Sequence, residues 1–212
     1  GQILKLINEK KCKNVLFAGK IDKPKLSNLK LDLKGIYYLP RIIKAFKLGD
    51  AAILKELIKI LKENKIKVIR SNFFNPELTL KKGNFSKTIP NKLDLISIKK
   101  GIRSLNSLNA HNHVQGLIIR NNVIIAKETS KGTKNMIQSI EKLKKKGGIL
   151  IKFPKKKQDL RVDLPTIGLD TLKDCKKANL KGVVLKSNQN IFMEKYKCIN
   201  FANKNKIFIK II

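Results

Sequence analysis

The stretch from residue 147 to residue 168, GGILIKFPKKKQDLRVDLPTIG, constrains the fold more than any other part of the chain. Two glycines precede Ile149, Leu150 and Ile151, a short apolar run that predicts a buried strand. The strand runs into a loop too polar to be a simple connector. Lys152, Lys155, Lys156, Lys157 and Arg161 are cations, Asp159 and Asp163 are carboxylates, and Gln158 offers both a donor and an acceptor. Pro154 and Pro165 bracket the loop, fixing φ at two points and restricting the residue before each. A stiff charged loop at the end of a buried strand is where an α/β protein places a ligand. The alternative is a solvated surface loop in a lysine-rich chain.

Helices and strands alternate on either side of this segment. Ile3, Leu4 and Ile7 open the chain on a helical pattern. Residues 15–18 read as a short buried strand, and residues 22–34 as a long polar loop broken by proline. Gly49 and Asp50 start the clearest helix, with Asp50 as N-cap and Ile53, Leu54, Leu57, Ile58 and Leu61 at three- and four-residue spacing. A strand over 66–70 follows, and the alternation predicts a parallel sheet. Phe73 and Phe74 then read as core residues, with the rim of a lipid-facing groove as the alternative.

A domain boundary is expected near Pro90, giving domains over residues 1–90 and 91–212. Ile98, Ile102 and Leu105 line one side of a helix over 94–108. Two strands, 116–120 and 123–127, are joined at Asn121 and Asn122, residues that tolerate the left-handed turn of a tight hairpin. Glu128 ends the second strand, and Lys131, Gly132 and Thr133 lead into a helix over 135–145. A helix over 170–179 and strands over 183–185 and 207–212 complete the pattern. The expected class is α/β: two small α/β domains with mixed, partly parallel sheets and a substrate cleft between them.

Charge alone points toward nucleic acid, since the formal net charge is +33. The cations are almost all lysine, however, with arginine only at positions 41, 70, 103, 120 and 161, whereas base readout and bidentate phosphate contacts favour arginine. They are also spread along the whole chain, and with abundant Ile and Asn they read as usage drifting toward A+T-rich codons. No nucleic-acid partner is expected, and attraction to anionic lipid headgroups is a further alternative. No apolar run approaches the ~20 residues of a membrane span. Cys12, Cys175 and Cys198 are odd in number and lack a C-x-x-C, so they read as free thiols of a reducing compartment, the cytoplasm. His111 and His113 form an H-x-H pair with no third ligand near, and read as loop histidines. No G-x-S-x-G, H-E-x-x-H or Walker loop supports serine nucleophile, zinc or P-loop chemistry.

The string K-x-x-K-x-x-Q-D-x-R-x-D-L-P-T-I-G, carried by Lys152, Lys155, Gln158, Asp159, Arg161, Asp163, Leu164, Pro165, Thr166, Ile167 and Gly168, resembles the signature of the LpxI-type UDP-2,3-diacylglucosamine pyrophosphatases of lipid A biosynthesis. Weaker matches at Gly49, Asp50, Gly83, Pro90, Gln115, Glu128, Gly132, Thr133 and Met136 extend the resemblance over nearly the whole chain. It implies magnesium-dependent hydrolysis of a nucleotide-lipid pyrophosphate, giving UMP and 2,3-diacylglucosamine 1-phosphate, by a cytoplasmic protein peripheral to the inner membrane. Relatives begin with a strand and a Gly-rich turn, so the helical opening here points to a missing first βα unit. Where relatives read E-G-T-D this chain has K-G-T-K, and Asn112 stands where they tend to carry Asp.

Pyrophosphate cleavage needs a carboxylate to position metal or activate water, and cations to neutralise the phosphates. Asp163 is the first candidate for that carboxylate and for metal binding, with Asp159 second, its alternative role being a surface ion pair with Lys156. Lys152, Lys155 and Arg161 are the phosphate-side candidates, and Gln158 and Thr166 would donate hydrogen bonds. Gly132 and Thr133 would offer backbone N–H groups to a phosphate at a helix start. Pro165 and Gly168 shape the loop. Two other classes stay open: a nucleotide-sugar or lipid-phosphate binding module without turnover, and, on charge alone, a nucleic-acid binding protein. Oligomerisation is left open.

Overall fold

The computed structural model describes residues 1–19, 31–112, 114–141, 147–156 and 158–212, the side chains of 109–112 aside. The chain packs as two units, one of Gly1–Phe74 with Asp159–Asp163, the other of Asn75–Gln158 with Leu164–Ile212. The boundary expected near Pro90 lies within the second.

In the first unit α1 (Gln2–Glu9) leads to β1 (Asn14–Leu16), α2 (Leu33–Leu48), α3 (Asp50–Glu63) and β2 (Lys67–Ile69). β1 and β2 pair in parallel, with Val15 opposite Val68. Leu4, Ile58, Ile60, Leu61, Ile66 and Val68 form the core, joined by half-buried Val15, Tyr38, Ile42 and Val162. The Arg41 guanidinium ties α2 to α3, donating to Glu56 at 2.7 Å and to Glu63 at 2.7 and 2.8 Å.

Four sequence expectations change here. Val15 and Leu16 are half-buried, not buried, because β1 has one strand neighbour among the described residues. α2 starts inside the segment read as loop, where Asp32 caps it by accepting from the Gly35 N–H at 2.7 Å. Residues 20–30 of that segment lie outside the described residues. Gly49, not Asp50, is the N-cap of α3, and Asp50 supplies a first-turn carboxylate instead. Phe73 and Phe74 are not core: 62% and 80% exposed, they pack edge to face on each other with centroids 5.1 Å apart.

The second unit holds a six-stranded mixed sheet. After a single 3-10 turn at Pro76–Leu78 come β3 (Gly83–Asn84), α4 (Lys92–Asn112), β4 (Gly116–Arg120), β5 (Val123–Lys127), α5 (Gly132–Glu141) and β6 (Ile149–Lys152). β7 (Thr166–Ile167), α6 (Leu169–Lys177), β8 (Gly182–Leu185), β9 (Ile191–Phe192), α7 (Lys195–Lys204) and β10 (Phe208–Ile211) follow. The strand order is β3-β10-β8-β6-β4-β5, with β6, β8 and β10 parallel and β4 antiparallel to both its neighbours. β7 and β9 form a separate parallel pair. β3, β7, β9 and α7 went unread in the sequence.

Both faces of the large sheet are covered, so β6 and β8 are buried at every position and read as unbroken apolar runs. Leu117, Ile119, Ile149, Ile151, Val184 and Phe208 face Ile98 and Leu105 of α4. Ile118, Leu150, Val183 and Ile209 face Met136, Ile137 and Ile140 of α5, Leu172 and Cys175 of α6, and Cys198 and Ala202 of α7. The hairpin between β4 and β5 turns through Asn121 (φ 46°) and Asn122 (φ 63°), as expected from the sequence. Asn91 and Asp94 cap α4 reciprocally, each side chain accepting the other's N–H at 2.9 and 3.1 Å.

Four helices end in one geometry. α1, α3, α6 and α7 are followed by Lys11, Lys65, Asn179 and Lys206, all left-handed at φ between 52° and 61°. In each, the next N–H reaches back five residues: Cys12 to Ile7, Ile66 to Leu61, Leu180 to Cys175, Ile207 to Ala202. These bonds satisfy carbonyls the helix would otherwise leave open. Ile66, Leu180 and Ile207 then drop into the cores.

Deleting a core side chain of the first unit should therefore cost far more than deleting an exposed one. Leu61→Ala should lower stability by about 2–5 kcal/mol, and Phe74→Ala by no more than about 0.5 kcal/mol, both read from urea denaturation. Equal losses would put Phe74 back in the core.

Candidate functional site

The polar groups of the second unit converge where β5, β4 and β6 end side by side. Gly116 of β4 lies opposite Lys152 of β6, and its carbonyl accepts the Glu128 N–H at 2.8 Å. A Cβ there would stand 2.7 Å from Glu128 Oε2 and 3.4 Å from Met136 Cε, so a larger residue would displace the Glu128 carboxylate. Across that gap Lys152, only 7% exposed, places Nζ 3.6 Å from Glu128 Oε1. The Thr133 hydroxyl lies between them, donating to Glu128 Oε1 at 2.8 Å and accepting from Lys152 Nζ. Gly132, at φ +82°, supplies the turn that starts α5 and brings Thr133 to this position. The helix expected over 135–145 thus begins at Gly132; residues 142–146 lie outside the described residues.

Gln115 sits one residue before β4 and not inside a strand, though its carbonyl still accepts the Phe153 N–H at 2.9 Å. Its side-chain amide donates to Gln158 Oε1 at 2.9 Å, and the Lys155 N–H donates to the same oxygen at 2.7 Å. Gln158 Nε2 and Glu128 Oε2 are buried without a hydrogen-bond partner among the described residues. Buried Asn190 donates to the Lys152 carbonyl at 3.1 Å and accepts the Lys186 N–H at 2.9 Å, fixing the end of β6.

Of the predicted site residues, Lys152, Lys155, Gln158, Gly132 and Thr133 thus belong to the second unit. Thr166 does too, on β7; it is exposed and its hydroxyl donates to the Leu164 carbonyl at 3.3 Å. Asp159, Arg161 and Asp163 belong to the first unit, held there by the Ser71 N–H donating to the Arg161 carbonyl at 2.9 Å and by Val162 against the core.

Arg161 chelates Asp159: its backbone N–H and Nε each lie 3.0 Å from Oδ1, and Nη2 lies 2.7 Å from Oδ2. Those bonds hold the Asp159 carboxyl below the usual carboxylate range, and Arg161 fills the partner role the sequence reading gave to Lys156. Asp163 is half-buried, and among the described residues no side chain pairs with its carboxylate.

Sequence reasoning gave no role to Glu128 or Asn190. Glu128 carried a signal, as one of 15 acidic residues placed directly at a strand end; Asn190 carried none. The side chain of His111, and all of His113, lie outside the described residues. Cys175 and Cys198 are buried free thiols, pushed up by burial, Cys198 to about 11, which suits packing and not nucleophilic attack.

Residues 1–78 match the LpxI N-terminal domain and residues 81–210 the LpxI C-terminal domain. The UDP-2,3-diacylglucosamine pyrophosphatase LpxI of Caulobacter vibrioides is 27% identical over 217 residues, spanning 99% of this chain and 78% of its own length.

Removing the chelating arginine tests the first-unit pair. In Arg161→Met the Asp159 carboxyl should titrate higher, back toward the ordinary carboxylate range, as read by carboxyl carbon NMR. Because the native carboxyl is depressed, the pair's stabilisation is present above that ordinary range and fades as pH falls through the lower folded value. Both side chains are partly exposed, so the loss at neutral pH should stay within ~1 kcal/mol. An unmoved titration would mean that Arg161 is not what holds Asp159.

Proposed function

The chain belongs to the LpxI family, both of whose domains it carries in order, and we propose that it cleaves the pyrophosphate of UDP-2,3-diacylglucosamine to UMP and 2,3-diacylglucosamine 1-phosphate. The observation that carries this reading is the signature lysine, Lys152, buried as a cation at the C-terminal end of a parallel strand beside the Gly-Thr start of α5. Ligands of open α/β sheets lie at such strand ends.

The roles follow from which charges are already matched. Lys152 and Lys155 attract the phosphates and offset charge that builds on the leaving group. The first-turn N–H groups of α5 add donors for a phosphate oxygen. Gln158 offers its unpartnered Nε2–H groups to the same ligand. Arg161 is committed to Asp159, so its part is to hold the Asp159–Asp163 segment in shape.

Magnesium usually takes one or two carboxylates and completes its shell with water and phosphate oxygens. Asp163 fits that requirement as a half-buried carboxylate with no cation paired to it among the described residues, whereas Asp159 and Glu128 already hold Arg161 and Lys152. Among the described residues no group of three or more His, Cys, Asp or Glu side chains stands where it could hold a metal ion, and Asp163 would supply a single carboxylate to one. When bound, the metal supplies charge neutralisation on the phosphoryl oxygens. In hydrolysis a water oxygen bonds to phosphorus, the bridging P–O bond breaks, and the water's proton passes to a base, for which Asp163 is the candidate.

We propose further that the chain lies on an anionic membrane surface, on the cytoplasmic side. Among the described residues no helix is long and apolar enough to cross a membrane. α4 presents exposed Leu93, Leu95 and Ile96 beside exposed Lys92, Lys99, Lys100 and Arg103, and each basic residue near such a surface adds ~1 kcal/mol.

Two experiments test these readings. With UDP-2,3-diacylglucosamine and magnesium, Asp163→Asn should lower UMP release by roughly 10²–10⁴-fold while binding survives, and Asp159→Asn should lower it less. Equal losses, or wild-type turnover in Asp163→Asn, would remove Asp163 from its role; wild-type binding without UMP release would leave a binding module. In flotation assays the protein should rise with phosphatidylglycerol vesicles at low salt and be released at high salt. Binding indifferent to salt, or tighter to duplex DNA at matched salt, would overturn the membrane assignment.

A further inference from the structure

Lys152 ends β6 and Glu128 directly follows β5, and these two strands are not neighbours. β4 lies between them, so their backbones are about two strand spacings, roughly 9.6 Å, apart. Gly116, between them, presents no side chain, and a Cβ there would press on Glu128 Oε2. Thr133 completes the bridge: its one proton goes to Glu128 Oε1 and its oxygen accepts from Lys152.

Two features set this bridge apart from a pair that serves stability alone. A buried ion pair is no more stabilising than apolar residues of the same volume. Nor is the bridge self-satisfied: Glu128 Oε2 makes no hydrogen bond among the described residues, and of the three Nζ donors one goes to Thr133 while Oε1, at 3.6 Å, is at ion-pair distance. The ammonium is held from one side by a carboxylate and a hydroxyl, and keeps donors for a further anion.

We propose that Glu128 is the positioning residue of Lys152. Its carboxylate, through the Thr133 hydroxyl, holds the buried ammonium extended at the end of β6, and it acts on a phosphate ligand only through that lysine. The proposal rests on the phosphate-binding role of Lys152 given above.

The test uses the full chain and inorganic pyrophosphate with magnesium, so that binding is read by calorimetry without turnover, with UDP-2,3-diacylglucosamine hydrolysis measured in parallel. Glu128→Gln should weaken pyrophosphate binding roughly 10- to 100-fold and raise KM more than it lowers kcat. Glu128→Asp should recover part of the loss. Lys152→Met should weaken binding at least as much, and the double variant should bind no more weakly than Lys152→Met, since Glu128 then has nothing to position.

Because Lys152→Met leaves a buried carboxylate unmatched, melting curves accompany every variant. Thr133→Val, which changes no charge, gives a second route: a smaller loss in the wild-type background and none in the double variant. Losses that add in the double variant, wild-type affinity in Glu128→Gln, or no pyrophosphate binding by the wild type would each overturn the proposal. Wild-type protein that binds pyrophosphate with this pattern but releases no UMP would sink the hydrolase reading and leave the positioning role standing.

Discussion

An ammonium group taken out of water needs a counter-charge within a few ångströms, and the end of the large sheet is built around meeting that need for Lys152. The strand order sets the problem, because the lysine sits on β6 and the nearest carboxylate at the end of β5, with β4 between. Gly116 solves it by leaving the intervening position empty of side chain. Thr133 then depends on Gly132 for its approach, and Asn190 depends on the same strand end for its hydrogen bond to the Lys152 carbonyl. The residues that look scattered in sequence, 116, 128, 132, 133, 152 and 190, are one arrangement about one charge.

The signature run divides its labour between two separately packed bodies. Its lysines and glutamine stay with the sheet of the second unit, while Asp159–Asp163 is built into the first. Carboxylates are scarce, 15 against 48 basic residues, and nine of them stand in ion pairs among the described residues, Glu128 with Lys152 and Asp159 with Arg161 included. Asp163 has no such partner among the described residues.

Much of the sheet was legible because its strands are buried on both faces and read as unbroken apolar runs between turn residues: 149–151, 183–185 and 207–212 all found their strands. The hairpin was legible through Asn121 and Asn122, which occupy the left-handed turn their type tolerates. α2 was not, because Leu33, Ile36 and Tyr37 are exposed and blur the apolar stripe, and Pro40 inside the helix reads as a breaker. β3, β7 and β9 are two residues long, too short for any period to show. At the candidate site, the signature made Lys152, Lys155 and Gln158 visible, but the Glu128 bridge depends on strand order, which no local pattern encodes.

The left-handed residues that close α1, α3, α6 and α7 have a consequence for how narrow a thermal margin the protein holds. Each turn is a position where glycine would sit without strain, yet three are lysine and one asparagine. A left-handed backbone costs an ordinary side chain roughly 1–2 kcal/mol, less for asparagine, and a lysine ammonium near the helix end returns about 0.3–1 kcal/mol of it. The four sites lie far apart in sequence, so their residual strain sums to a few kcal/mol, set against a net stability of only about 5–15 kcal/mol for a typical protein. The drift toward lysine and asparagine therefore reaches below the surface chemistry. It leaves the fold less room to absorb a lost methyl group in its core.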